Sequence, residues 1–172
     1  MYLIDLFCGA GGFSQGAVQA GCEVTLAVDS WQRALDAHEL NHPGCRHVRM
    51  EMGGDMDDFV SFVEEHLTTG GIDMSQCHLH ASPPCQPFSA WKRCFDQPLG
   101  YKDQGLELVK WTMQVIDRLQ LASFTIEEVP DPHLQVLFDD WPSASASQTY
   151  YLHRYGVPNT RCRLIVSSVH ST

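Results

Sequence analysis

Short apolar runs alternate along this chain with longer segments in which apolar residues recur every three or four positions. YLIDLF (residues 2–7), CEVTLAVD (22–29), HVRMEM (47–52), HLHAS (78–82) and FTIEEV (124–129) are rich in branched residues and predict core strands. Between them, residues 13–20, 31–41, 56–67 and 105–119 predict helices; in the last, Leu106, Val109, Met113, Ile116 and Leu119 share one face. This βαβ alternation predicts an open, mostly parallel sheet with helices on both faces. Such sheets bind ligands beyond the carboxyl ends of their strands. QTYYLHR (148–154) and RLIVSSV (163–169), joined by YGVPNT, predict a final antiparallel strand pair, and DDWPSASASQ (139–148) before them reads as a polar loop.

The pattern fits a single domain, with a cofactor half over about 1–75 and a catalytic half over about 76–172. No apolar run approaches membrane-spanning length and no leader is readable, so an intracellular, non-secreted protein without a membrane partner is expected. Seven cysteines without paired CxxC spacing predict reduced thiols. His78 and His80 beside Cys77 lack a second ligand pair, so no metal site is expected. The net charge of −10 opposes a broad nucleic-acid-binding surface. Lys92, Arg93 and Lys102 nevertheless follow Cys85 closely, and Arg154, Arg161 and Arg163 cluster near the end; if these two regions meet, they make one basic face.

Three stretches carry chemistry. DLFCGAGGFSQG places Gly9, Gly11 and Gly12 after the first strand, where a tight turn leaves backbone N–H groups open at the start of a helix. The spacing is GxGG rather than the GxGxxG that seats a pyrophosphate. Asp29, eighteen residues past Gly11, ends the second strand and suits a ribose. Together they point to an adenosine cofactor without a pyrophosphate; the alternatives are a plain turn and a carboxylate capping the helix near Trp31. SPPCQPFS fixes Cys85 behind two prolines at the same sheet edge, which suits a nucleophile better than a packing thiol. TIEEV brings Glu127 beside it. A carboxylate raises a neighbouring thiol pKa, so the pair fits a substrate that takes a proton from the carboxyl side better than a hydrolase.

DLFCGAGGFS, SPPCQPFS, EEV and YGVPNTRCR, in this order, resemble the motifs of the cytosine-C5 DNA methyltransferases that use S-adenosylmethionine. The resemblance implies a Rossmann-like class I methyltransferase fold. It further implies that Asp5, Phe7, Cys8, Gly9, Gly11, Gly12, Phe13, Asp29, Ser30, Glu51, Met52 and Pro84 bind the cofactor, with Glu51, or Asp55 as its rival, near the adenine. Cys85 would attack C6 of a flipped-out cytosine, Glu127 would assist at N3, and Arg161 and Arg163 would hold the base. Residues 86–104 would close over the nucleic acid through Gln86, Ser89, Lys92, Arg93 and Lys102.

Glu128 and Asn159 depart from the family pattern, which has asparagine and glutamine there, and the family's target-recognition region and final helix have no counterpart in the sequence given. The expectations that follow are a separate recognition subunit, or self-association through apolar sheet surface left beside the cofactor site. Two alternatives share the resemblance: a transfer-RNA-type cytosine methyltransferase, which SPPCQPF also suits, and a truncated cofactor-binding remnant without catalysis.

Overall fold

The computed structural model describes residues 1–86, 88 and 101–169, the side chains of residues 101 and 102 excepted. Seven strands form one sheet: β1 Tyr2–Leu6, β2 Glu23–Asp29, β3 Arg46–Arg49, β4 Cys77–Ala81, β5 Ser123–Glu128, β6 Ala146–Tyr151 and β7 Cys162–Ser167. Their order is β3-β2-β1-β4-β5-β7-β6; the first five run parallel, and β7 lies antiparallel between β5 and β6. The chain order reverses between β1 and β4, so the carboxyl ends of these two strands frame the crevice where such sheets bind ligands.

Helices α1 (Gly12–Gln19) and α2 (Gln32–Asn41) cover one face; α3 (Met56–Thr69), α4 (Tyr101–Leu119) and α5 (Pro132–Asp139) cover the other. The second face holds the main core: Ile4, Leu6, Leu79 and Ile126 from the strands meet Phe59 and Val63 of α3 and Val109 and Ile116 of α4. The start of α3 follows from Asp55, whose side chain accepts the Asp58 N–H at 3.0 Å, while Phe59, Val60, Val63 and Leu67 repeat at helical spacing and are buried.

Four boundaries differ from the sequence reading. The third strand ends at Arg49, so Met50, Glu51 and Met52 lie beyond it. β2, its sheet neighbour, ends at Asp29, and an edge strand has nothing to pair with once that neighbour stops. α4 begins at Tyr101, so residues 101–104 belong to a helix rather than to the loop after Cys85. The reading missed α5, which Asp131 caps and Pro132 opens, and which buries Leu134 and Phe138. Each of those two side chains contributes roughly 2 kcal/mol of apolar burial. β6 also reaches back to Ala146, inside the stretch read as loop.

Among the described residues no helix is long and apolar enough to cross a membrane, and no three metal-ligating side chains converge. His78 instead bonds the Ser123 and Thr125 hydroxyls at 2.8 and 2.9 Å, and His80 bonds Thr125 at 2.9 Å. On the α1 side, β4, β5 and β7 present His78, His80, Ser123, Thr125, Glu127, Arg163 and Ser167, with Ile165 the apolar exception.

Candidate active site

β1 passes into α1 through a turn in which Phe7, Gly9 and Gly11 all have positive φ, at 56°, 54° and 91°. Glycine makes this conformation accessible at two positions, and Phe7 is held in it by its neighbours. The Ser82 hydroxyl donates to the Phe7 carbonyl at 3.1 Å, Cys8 N–H donates to Val28 at 3.2 Å, and Gly11 N–H donates to Cys8 at 3.0 Å. A Cβ on Gly11 would lie 3.0 Å from His38 and 3.1 Å from His42, whereas one on Gly9 would meet nothing within 4 Å. The turn is packed on its inner side and open on its outer side.

Asp29 completes the turn. Its Oδ2 accepts the Gly9 N–H at 2.9 Å and its Oδ1 accepts the Trp31 N–H at 2.8 Å. The residue therefore ties β2 to the glycine turn and shapes the start of α2, and each oxygen keeps a further lone pair for a ligand. Beneath the turn, Asp5 is fully buried. Ser14 donates to its Oδ2 at 2.6 Å, His38 Nε2 lies 3.1 Å from Ser14, and His47 Nε2 lies 2.8 Å from His38 Nδ1. With Ser14 donating to Asp5, the direction of the chain is fixed: His38 donates to Ser14 and His47 donates to His38. Asp5 Oδ1 and His42 Nε2 are buried without a partner among the described residues.

A cavity of about 770 Å³ opens beside this turn, bounded on one side by Phe7, Cys8, Gly9, Gly12 and Phe13. The opposite wall is formed by Glu127, Arg161 and Arg163. Arg163 and Glu127 form an ion pair, and Arg163 Nη1 also donates to the Cys162 carbonyl at 2.8 Å. Asn159 accepts the Arg161 N–H at 3.0 Å, so its shorter side chain shapes the turn that carries the arginines. His80, stacked 3.3 Å from Phe13, and Tyr150, Leu152 and Tyr155 also line the cavity; the sequence reading missed them.

Cys85 is half-buried on the turn after β4, and its carbonyl accepts the Phe88 N–H at 3.0 Å. Burial raises its thiol pKa, Glu128 and Glu127 raise it further, and Arg163 opposes them. The charges that act on the thiol are thus those of Glu127 and Glu128 at the end of β5 and of Arg163 at the start of β7. Pro84 and Gln86 next to it are exposed.

The cavity does not gather every expected residue. Ser30 is exposed, with its carbonyl held by Arg49 at 3.2 Å, and Glu51 is exposed beyond β3. Met52 is buried and lines a separate hollow against α4, while Asp55 is occupied as the cap of α3. Ser89, Lys92 and Arg93, and the side chain of Lys102, lie outside the described residues. Of the second basic group, Arg161 and Arg163 reach the cavity, and the Arg154 guanidinium lies 5.1 Å from the centre of the Tyr151 ring.

The sequence model of C-5 cytosine-specific DNA methylases matches residues 1–130. The chain belongs to this family. Among relatives of the chain, the type II methyltransferase M.HgiDI of Herpetosiphon aurantiacus is 32% identical over 177 residues, covering 96% of the chain and 51% of that relative. DNA (cytosine-5)-methyltransferase 1 of Gallus gallus is 34% identical over 99 residues, covering 52% of the chain and 6% of its own length. A prophage-encoded E. coli protein assigned as a DNA modification methyltransferase superposes with a TM-score of 0.72 at 26% identity, over 97% of the chain and 46% of that structure. The fold is thus the Rossmann-like one of S-adenosylmethionine-dependent methyltransferases, and the chain spans about half the length of M.HgiDI.

The buried titratable groups of the chain set an expected pH profile. Burial depresses His38 and His78 to about 4 and His80 to about 3, so the stability they provide is full above 6.5 and is lost as pH falls toward those values. Burial raises Asp5 to about 7 and Glu128 to about 8; their contribution is full below the ordinary carboxylate range and is lost as pH rises through 7 and 8. The thermal midpoint is therefore expected to peak near about pH 6 and to decline by pH 8.5. A midpoint that still rises between pH 6.5 and 8.5 would contradict this.

Proposed function

We propose that the chain transfers a methyl group from S-adenosylmethionine to C5 of cytosine in DNA. The observation that carries this reading is the joining of the open glycine turn, fastened to Asp29, and the Glu127–Arg163 pair across one cavity. The turn fits the cofactor: its outer face is open at Gly9, Asp29 retains hydrogen-bonding capacity, and the unpartnered Asp5 Oδ1 lies below. Phe7, Cys8, Gly9, Gly12, Phe13 and Asp29 would hold it, with Asp5 and Gly11 supporting them from beneath. When bound, S-adenosylmethionine supplies an electrophilic methyl group.

The protein's own residues supply the rest. Cytosine C5 is too weak a nucleophile while the ring is aromatic. Addition of the Cys85 thiolate to C6, with a proton at N3 held by Glu127, makes C5 an enamine carbon. After C5 is alkylated, loss of its proton expels Cys85 and restores the ring. Arg163 keeps Glu127 facing the cavity, and Arg161 adds positive charge at the mouth for the polyanion. The base must leave its stack to expose C6, and the aromatic wall of Tyr150 and Tyr155 is suited to receive it.

Calorimetry tests the cofactor half of this reading. S-adenosylmethionine is expected to bind the chain, and Asp29→Ala to weaken it by roughly tenfold or more, since the substitution removes both the ribose acceptor and the tether on Gly9. Equal affinity for both proteins would remove Asp29 from the site.

A further inference from the structure

Two carboxyl groups stand side by side at the end of β5, and strand alternation sends them to opposite faces. Glu127 faces the cavity and Arg163, whereas Glu128 faces the main core and is fully buried. Glu128 Oε2 accepts the Val129 N–H at 2.9 Å, and Oε1 is buried without a hydrogen-bond partner among the described residues. The charged and titratable groups around it come from every neighbouring segment: Glu127 on its own strand, Cys85 on the turn after β4, Arg163 on β7 and Asp131 at the start of α5. Asp131 is paired with His133 at 3.0 Å, and Arg163 is paired with Glu127.

An ionised Glu128 would be a buried charge with one backbone N–H for company and two other carboxylates nearby, an arrangement that folded proteins avoid. A carboxylic acid meets the same surroundings at lower cost, because it buries a dipole rather than a net charge. Burial is the first cause that holds the group protonated up to about pH 8, ahead of the repulsion from Glu127 and Asp131.

We propose that Glu128 is a positioning residue that works as a neutral acid, and that loss of its proton suppresses the Cys85 thiolate by placing a second negative charge beside it. The methylation consequence rests on the function proposed above; the effect on the thiol does not. An ordinary thiol gains reactivity steadily with pH because its thiolate fraction rises. Here the ionisation of Glu128 opposes that gain over the same range, since a like charge raises the thiol pKa further. Glutamine keeps the shape of the neutral acid and cannot acquire the charge.

The test is the rate of Cys85 alkylation by iodoacetamide from pH 6.5 to 9.5, followed on the Cys85 peptide by mass spectrometry, in wild type, Glu128→Gln and Glu128→Asn. Melting curves confirm that the variants are folded. At pH 6.5 the three are expected to react within about twofold of one another. At pH 9 both variants are expected to react roughly tenfold faster than wild type, equivalent to one pKa unit of like-charge interaction. Parallel profiles in all three proteins would overturn the proposal. If neither variant folds, ¹³C-carboxyl NMR of wild type, with the resonance assigned to Glu128, decides: a midpoint near 8 supports it and one near 4.5 overturns it. A wild-type chain that shows the alkylation difference but never methylates cytosine would sink the function proposed above and leave this inference standing.

Discussion

Cys85→Ser is expected to lower methyl transfer to cytosine by roughly four orders of magnitude or more, with S-adenosylmethionine affinity within about twofold of wild type. A serine hydroxyl is a far weaker nucleophile than a thiolate. No free base for it is visible among the described residues: Glu127 is paired with Arg163, and burial pushes Glu128 up to about 8, so that near neutral pH it is an acid rather than a base. The side chain lies on the turn after β4 and outside the wall formed by the glycine turn, so cofactor binding is spared. Radiolabelled methyl incorporation together with calorimetry separates the two effects. Residual activity near a tenth of wild type would mean that another group attacks C6.

Glu127→Gln is expected to cost about 10² to 10⁴ in kcat, the range for removing a positioned proton donor or acceptor, with a change in thermal midpoint of only a few degrees. Its side chain is 29% exposed and its Arg163 partner 21%, so the ion pair is partly screened and contributes modestly to stability. Glutamine can still bond Arg163 but cannot manage a proton at N3. Single-turnover methylation on duplex DNA isolates the chemical step. A loss confined to KM would instead assign Glu127 to substrate binding.

The parallel half of the sheet was legible because β1 and β2 are nearly continuous apolar runs, while β4 and β5 alternate apolar with polar residues at period two. The glycine turn was legible from its spacing, although its inner packing was not: the chain Asp5–Ser14–His38–His47 includes a bond between residues 24 positions apart in sequence, and periodicity carries no trace of it. Cross-strand chemistry was hidden in the same way. His78 and His80 alternate along a strand that was legible, but their partners Ser123 and Thr125 sit some 45 positions away on β5.

The end of β3 was misread because an edge strand stops where its neighbour stops, whatever its own composition. Helix α5 was missed because eight residues give one short apolar face; the Asp131–Pro132 start was the available signal. Tyr150 and Tyr155 enter the cavity only once β6 and β7 pair, since Tyr150 lies opposite Arg163 in that register. Arg161, Arg163, Glu127, Phe7 and Gly9 line one cavity because the ends of β1 and β5 and the start of the antiparallel β7 lie at the same sheet edge. Pro84, Cys85, Ser30, Glu51 and Met52 are not among the residues that line that cavity; Glu51 and Met52 had been placed by the longer third strand, the others by motif position.

The most direct test of the account is covalent trapping on duplex DNA carrying 5-fluorocytosine, with S-adenosylmethionine present. Fluorine at C5 removes the proton whose departure releases the enzyme, so the chain should remain bonded to C6. The expected result is a denaturation-resistant complex whose digested peptide carries a methylated fluoropyrimidine nucleotide on Cys85, and which Cys85→Ser abolishes. Methylation of unfluorinated cytosine without any such adduct, or an adduct that survives Cys85→Ser, would contradict it.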